Sequence, residues 1–141
     1  MSETGEAYLA LLERLEPGNL DELDGLVADT VRFRDPFNDV TGRAVLRRVF
    51  ERMFDDLDVP RFVVRHKRWD GGVCLVAWTF EARMQGSGKD LRFDGMSEVR
   101  VDTDGRVAEY VDHWDPARSL YERVPVLGAV LRRVRRRLSS G

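Results

Sequence analysis

The chain has 141 residues, of which 43% are hydrophobic and 34% charged, and its formal net charge is −2. This composition predicts one globular domain over residues 1–141 with a buried core, and it excludes a disordered or fibrous chain. With no apolar run that could cross a bilayer, no export signal, one cysteine (Cys74) and no Cys/His cluster, the sequence predicts a cytoplasmic protein without a metal site.

Apolar periodicity and turn residues divide the chain into helices followed by strands. Pro17 and Gly18 end the first helical pattern, and Asn19 is a good cap for the second. The predicted elements, in chain order, are helices 6–15 and 19–28, a short strand 30–34, a polar turn 35–39, a long helix capped by Thr41 with its apolar stripe over 45–57, strands 61–69, 73–84, 91–101 and 107–114, and a short helix 116–123.

The four long strands are separated by short turn sequences. Gly71-Gly72, residues 86–90 and Asp104-Gly105 are typical of hairpin turns, so the strands should form an antiparallel meander. A long helix with a broad apolar stripe, placed before such a meander, predicts an α+β fold in which the curved sheet wraps around the helix. A curved sheet leaves a concavity, and an apolar concavity with a few polar groups is a typical ligand site.

The C-terminal residues have a different character. Residues 118–141 contain seven arginines and one acidic residue, so acidic residues predominate in the rest of the chain, which is not the distribution of a nucleic-acid-binding domain. Residues 124–141 predict a basic amphipathic helix. Its apolar stripe could pack on the domain or on a partner subunit, or it could contact an anionic membrane weakly.

Three short motifs carry a resemblance to a known family. Gly18-Asn19-Leu20-Asp21, Asp35-Pro36 and the closing strand sequence from Tyr110 to Asp115, in this order of elements, resemble the nuclear transport factor 2-like superfamily. That superfamily includes SnoaL-like polyketide cyclases, ketosteroid isomerases and limonene-type epoxide hydrolases. The resemblance covers about residues 6–123. It implies a cone-shaped α+β fold with a deep pocket and a homodimer across the outer face of the sheet.

Two carboxylates occupy positions that are catalytic in enzymes of the family that this sequence resembles. Asp35 is similar in position to the aspartate that moves a proton between carbons in ketosteroid isomerases, and desolvation at a cavity rim would suit a general base. The alternative is that Asp35 only forms a turn before Pro36. Asp112 looks like the closing-strand aspartate of limonene-type epoxide hydrolases and could act as the acid or as a second base. Its alternative role is to stabilise the closing strand.

The sequence also departs from both enzyme patterns. Leu11 and Ser97 stand where ketosteroid isomerases hold the two donors of the oxyanion hole. Trp78, Phe80 and Ala82 stand where the epoxide hydrolases carry a charged pair. Neither a steroid isomerase nor that hydrolase mechanism is therefore favoured.

Strand alternation proposes which side chains line the pocket. Tyr110, Asp112 and Trp114 share one face of the last strand. The candidate ligand-binding residues are Tyr8, Phe37, Phe50, Phe54, Trp78, Phe80, Phe93, Ser97, Tyr110 and Trp114. The sequence thus predicts a cofactor-independent isomerase-, cyclase- or hydrolase-type enzyme acting on an apolar carbonyl or polyketide-like substrate. The alternatives are a non-catalytic binder of an apolar small molecule and a structural or membrane-associated dimer.

Overall fold

The computed structural model describes residues 2–119 together with residues 133 and 136–138. Within that part, the helices and strands are α1 (Glu3–Glu13), a 3₁₀ helix (Pro17–Glu22), α2 (Leu23–Leu26), β1 (Val27–Arg34), β2 (Asp39–Thr41), α3 (Arg43–Asp56), β3 (Leu57–Asp70), β4 (Val73–Met84), β5 (Asp90–Val101), β6 (Val107–His113) and α4 (Pro116–Ser119). No helix among these residues is long and apolar enough to cross a membrane.

All six strands belong to one curved mixed sheet in the order β2-β1-β6-β5-β4-β3. β3 to β6 form the antiparallel meander that the hairpin turns predicted. β1 pairs in parallel with β6 and antiparallel with β2. The predicted α+β class and the sheet wrapped around a long helix are therefore confirmed, whereas β2 and the parallel pairing were not predicted.

The N-terminal helices cover the inner face of the sheet beside α3. The Ser2 side chain caps α1 by accepting a hydrogen bond from the Gly5 amide at 3.0 Å. The core is formed by apolar side chains of α1, α3 and the inner faces of the strands. Tyr8 and Leu46 are among its fully buried members, so burial against the sheet positions both helices.

Three predicted boundaries were wrong. The second helix is a 3₁₀ turn followed by one turn of α-helix, and β1 begins at Val27 because Val27 pairs with Val107 and both are fully buried. β3 begins at Leu57 and includes Pro60, since a proline without an N–H is tolerated on an edge strand, here beside a register irregularity. The short helix after Pro116 is described to Ser119, and most of the predicted C-terminal helix lies outside the described residues.

Candidate functional site

A cavity of about 450 Å³ lies between α3 and the inner face of the sheet. Most of its wall is aromatic or aliphatic, and its charged members are three aspartates and one arginine. The wall is formed by Phe33, Asp35, Phe37, Asn38, Val49, Phe50, Arg52, Met53, Asp56, Leu57, Phe62, Trp78, Phe80, Met84, Leu91, Phe93, Asp112 and Trp114. The predicted concavity is thus an open space in the structure and is not filled by its tryptophans.

Aromatic rings pack edge to face and in stacks along the wall. Phe93 stacks on Trp114 with ring centroids 4.6 Å apart, and Phe37 meets the same indole edge to face at 5.5 Å. Phe62 contacts Trp78 at 5.3 Å. Such packing fixes the rings, so the cavity has a rigid apolar surface suited to an apolar ligand.

Most of the predicted site residues lie in this wall, and four do not. Those in the wall are Asp35, Phe37, Phe50, Trp78, Phe80, Phe93, Asp112 and Trp114. Tyr8, Ser97 and Tyr110 are buried outside the cavity wall, and Phe54 is a partly buried side chain packed against the core. Tyr8 and Tyr110 pack ring against ring instead, with centroids 5.4 Å apart.

Sequence reasoning missed part of the wall. Phe33 has the same alternation on β1 as Asp35, a signal that was present but not used. Phe62 pairs with Phe80 across the β3–β4 ladder. Its orientation toward the inner face of the sheet was not predicted, because the charged residues that follow it on β3 break the alternation of apolar and polar side chains. Arg52 and Asp56 are exposed residues one turn apart on α3, where a solvated helix face and a cavity rim have the same sequence pattern.

The strand register brings the two candidate carboxylates side by side. Phe33 pairs with Tyr110 and Arg34 with Val111 in the parallel β1–β6 ladder. The next residues along the chain are Asp35, directly after the end of β1, and Asp112 of β6. Neighbouring strands lie about 4.8 Å apart, and alternation places both side chains on the inner face, where both line the cavity.

Asp35 is held by the turn that follows β1. Its Oδ1 accepts hydrogen bonds from the backbone amides of Phe37 at 2.8 Å and Asn38 at 2.7 Å. The Asn38 side-chain amide also donates to Oδ1 at 3.0 Å and to Oδ2 at 3.2 Å. Asp35 is therefore both a turn-forming residue and part of the cavity wall, so the two interpretations of it are compatible.

Asp112 is held from the opposite side. The Ser97 hydroxyl donates to its Oδ1 at 2.5 Å, and Asp112 keeps some exposure toward the cavity although protein atoms surround its carboxyl group. Burial raises its pKa from 3.8 to about 7; the Ser97 and Tyr110 hydroxyls oppose this, and the charge of Asp35 adds to it. Asp112 can therefore gain or lose a proton near neutral pH.

Two tyrosine hydroxyls lie buried near Asp112. Burial, and secondarily the Asp112 charge, hold the pKa values of Tyr8 and Tyr110 well above their usual range. The Tyr110 hydroxyl is close enough to Asp112 to affect its pKa, but neither hydroxyl has a well-formed hydrogen bond within the described residues. A buried hydroxyl without a partner costs about 1–3 kcal/mol of stability.

Replacing Tyr8 with phenylalanine should therefore leave stability unchanged or raise it by about 1 kcal/mol, because it removes an unpaired buried hydroxyl and keeps the ring. Urea denaturation at pH 7 measures this effect. Tyr110→Phe is the matched comparison, and it should also raise the pKa of Asp112. A Tyr8→Phe protein less stable by more than about 1 kcal/mol would mean that the hydroxyl is satisfied in solution.

Three solved structures illustrate the likeness in fold. The chain is similar to a protein of ketosteroid isomerase-like fold from Catenulispora acidiphila, solved in complex with trimethylamine, with 14% identity and a TM-score of 0.72 over 84% of this chain and 89% of that one. It is similar to an epoxide hydrolase of the LEH-like type from M. tuberculosis, with 18% identity and a TM-score of 0.71 over 92% and 91%. A candidate SnoaL-like polyketide cyclase from Mesorhizobium loti has 16% identity and a TM-score of 0.66 over 79% and 97%.

At these identities, the structures show a common fold and not a common reaction. No curated protein matches the sequence significantly. The family model of the SnoaL-like domain, in contrast, matches residues 8–110. Since this match covers well over half of the chain, the protein belongs to the SnoaL-like domain family.

Proposed function

We propose that this protein is a cofactor-independent acid–base enzyme that moves a proton at a carbon next to the carbonyl group of an apolar substrate. The observation that carries the proposal is the position of Asp35 and Asp112, one step beyond paired residues of β1 and β6, in the wall of one aromatic cavity. Two adjacent carboxyl groups in such a cavity can take different protonation states and divide the roles of base and acid.

In this mechanism Asp35 is the base. The N–H groups of Phe37 and Asn38 hold its carboxylate in place, so it meets the substrate already oriented. It takes a proton from the carbon beside the carbonyl group as the C–H bond breaks. The C–H electron pair forms a carbon–carbon double bond and the carbonyl π electrons move onto the oxygen, which gives an enolate, or an enol once that oxygen is protonated.

Asp112 is the acid in the same step. With a pKa near 7 it is protonated in a large fraction of molecules at neutral pH, and it can donate that proton to the carbonyl oxygen as negative charge develops there. In an isomerisation, Asp35 delivers its proton to another carbon of a conjugated enol, and Asp112 takes back the proton of the enol oxygen as the carbonyl group forms again. In a cyclisation, the enol carbon attacks a second carbonyl carbon, whose oxygen takes the proton held by Asp35, while Asp112 recovers the proton of the enol oxygen. The M. loti protein of the same fold is named as a candidate polyketide cyclase, and for this reason the proposal includes cyclisation.

A non-catalytic ligand-binding protein is the second candidate. It is favoured by the hydrogen bonds from Phe37 and Asn38 to Asp35, which also occur around a carboxylate that only stabilises a turn. In that case the aromatic cavity holds an apolar molecule, and the carboxylates shape and polarise the pocket.

Deuterium exchange into bound apolar ketones separates these candidates. Aryl ketones and 1,3-diketones are incubated with the protein in D₂O, and NMR follows loss of the proton next to the carbonyl group. Asp35→Asn and Asp112→Asn should each slow exchange by about 10²-fold or more, whereas ligand affinity, followed by tryptophan fluorescence, should change little. Asp94→Asn on the exposed outer face is the control. Binding with no exchange above the buffer rate would favour the ligand-binding protein.

A further inference from the structure

A chain of hydrogen bonds runs from β4 through β5 to the carboxyl group on β6. The Trp78 indole N–H donates to the Ser97 hydroxyl oxygen at 2.7 Å, and the Ser97 hydroxyl donates to Asp112 Oδ1 at 2.5 Å. Trp78 is 4% exposed and Ser97 2%, so bulk water does not compete for these bonds. Ser97 pairs directly with Asp112 on β6 and with Val76 on β4, and Trp78, two residues after Val76 on the same face of β4, reaches Ser97 diagonally.

The chemistry of the donors gives this chain a direction. An indole nitrogen can only donate, so the Ser97 oxygen accepts that bond and its single proton is left to be donated to Asp112. Oδ1 of Asp112 is therefore an acceptor. A proton placed on Oδ1 would weaken the bond that it accepts, so the oxygen that takes up the dissociable proton is Oδ2.

We propose that Trp78 and Ser97 are positioning residues that hold Asp112 through Oδ1 and keep its exchangeable proton on Oδ2. Neither residue is assigned contact with the reacting atoms. Their role in the reaction rests on the proposed acid–base function, whereas the hydrogen-bond chain and its direction do not. These two hydrogen bonds give Asp112, an acid in the wall of an open cavity, a fixed oxygen for its proton.

The groups around Asp112 define what else can affect its titration. Asp35 faces it from the end of β1, Tyr8 from α1 and Tyr110 from its own strand. Arg52 and Asp56 of α3 line the same cavity, but no hydrogen bond or ion pair joins either side chain to Asp112 within the described residues. Among the described residues, Ser97 of β5 supplies the hydroxyl that donates to Asp112 with full hydrogen-bond geometry, whereas the Tyr8 and Tyr110 hydroxyls do not.

The experiment is an NMR titration of the intact chain between pH 5 and 9. The Asp112 carboxyl carbon and the Trp78 indole N–H should titrate with one common midpoint near neutral pH, because ionisation of Asp112 strengthens both bonds of the chain. The Trp69 indole, which donates to Glu6 at 3.0 Å, is the internal control and should show no such midpoint. A Trp78 resonance that does not follow Asp112 overturns the proposal without any variant.

Ser97→Ala removes the middle of the chain. The Trp78 indole signal should then lose its response to pH. The titration midpoint of Asp112 should move up by about one pH unit or more, since a hydrogen-bond donor to its charged form is gone. Thr79→Ala is the matched control. Its hydroxyl donates to Asp94 at 2.7 Å across the same two strands, on the outer face, so it should leave both signals unchanged. An unchanged Asp112 midpoint in Ser97→Ala overturns the proposal.

The outcomes separate the positioning role from the proposed function. If ketone exchange is observed, Ser97→Ala should move its high-pH decline to higher pH, because Asp112 must be protonated to act as the acid. Exchange whose decline stays in place overturns the positioning role and leaves the acid–base function standing. If Trp78 and Asp112 titrate together but no ketone exchanges deuterium, the result supports the hydrogen-bond chain and counts against the proposed acid–base function.

Discussion

At pH 8.5 the Asp112→Asn protein should be more stable than the parent by up to about 4 kcal/mol, and at pH 5 the difference should shrink to less than about 2 kcal/mol. The side chain is carried from water into a cavity wall, where burial raises its pKa from 3.8 to about 7. The neutral asparagine has nearly the same shape and avoids the cost of burying a charge.

The direction follows from proton binding. Between pH 4 and 7 the folded protein keeps a proton on Asp112 that the unfolded chain has lost, so the free energy of unfolding falls as pH rises through this window. Glu6 acts in the opposite direction, since hydrogen bonds from Lys67 and Trp69 lower its pKa and its stabilising effect is lost in acid. These two groups together should make stability greatest near pH 4.

Urea denaturation of both proteins at pH 5, 7 and 8.5 measures this difference. Asp94→Asn, on the exposed outer face, is the control. Between pH 5 and pH 8.5 its free energy of unfolding should change by the same amount as that of the parent. A parent protein whose stability is flat from pH 5 to 8.5 would show that Asp112 is ionised in the fold throughout.

Replacing Gly95 with alanine should destabilise the protein by about 3 kcal/mol. A Cβ atom on Gly95 would lie 2.3 Å from the Trp78 Cη2 atom and 2.5 Å from Cζ2. The indole is rigid and 4% exposed, and it is held by its hydrogen bond to Ser97 and its edge-to-face contact with Phe62, so moving it away from a new methyl group would break these contacts. Thermal unfolding should begin about 10 °C lower.

The matched control is Gly25→Ala, because nothing lies within 4 Å of a Cβ at that position in α2. It should change stability by well under 1 kcal/mol. The double variant Gly95→Ala with Trp78→Phe should be less destabilised than the two single losses added together, since the smaller ring removes the clash. Strict additivity, or a Gly95→Ala protein as stable as the parent, would contradict this account.

Local patterns predicted the parts of the fold that local interactions determine. The apolar stripe of α3 and the hairpin turns around β4 and β5 could be predicted from the sequence, because each of them depends on residues that are close together along the chain. The parallel pairing of β1 with β6 was not predictable in the same way. It joins residues from opposite ends of the domain, and no turn between them marks it.

The candidate site was predictable to a similar degree. Alternation on β6 placed Asp112 and Tyr110 on the inner face, but facing inward does not separate a core position from a cavity wall. Tyr110 packs against Tyr8 and Phe33, whereas Asp112 reaches the open space. The acid–base roles of the aspartates and the homodimer remain predictions.

The β1–β6 pairing has a consequence for how the protein matures. The strand that ends beside Asp35 leaves the ribosome early, and its partner is among the last parts of the domain to be made. Until β6 emerges, the edge of β1 that faces it has no strand to bind, and the loop that must close, from Phe33 to Tyr110, spans more than half of the chain. The two carboxylates can therefore meet only after β6 has been made, so a shortened translation product that ends before β6 is expected to lack Asp112 and Trp114 of the cavity wall and, with them, the pair of carboxylates.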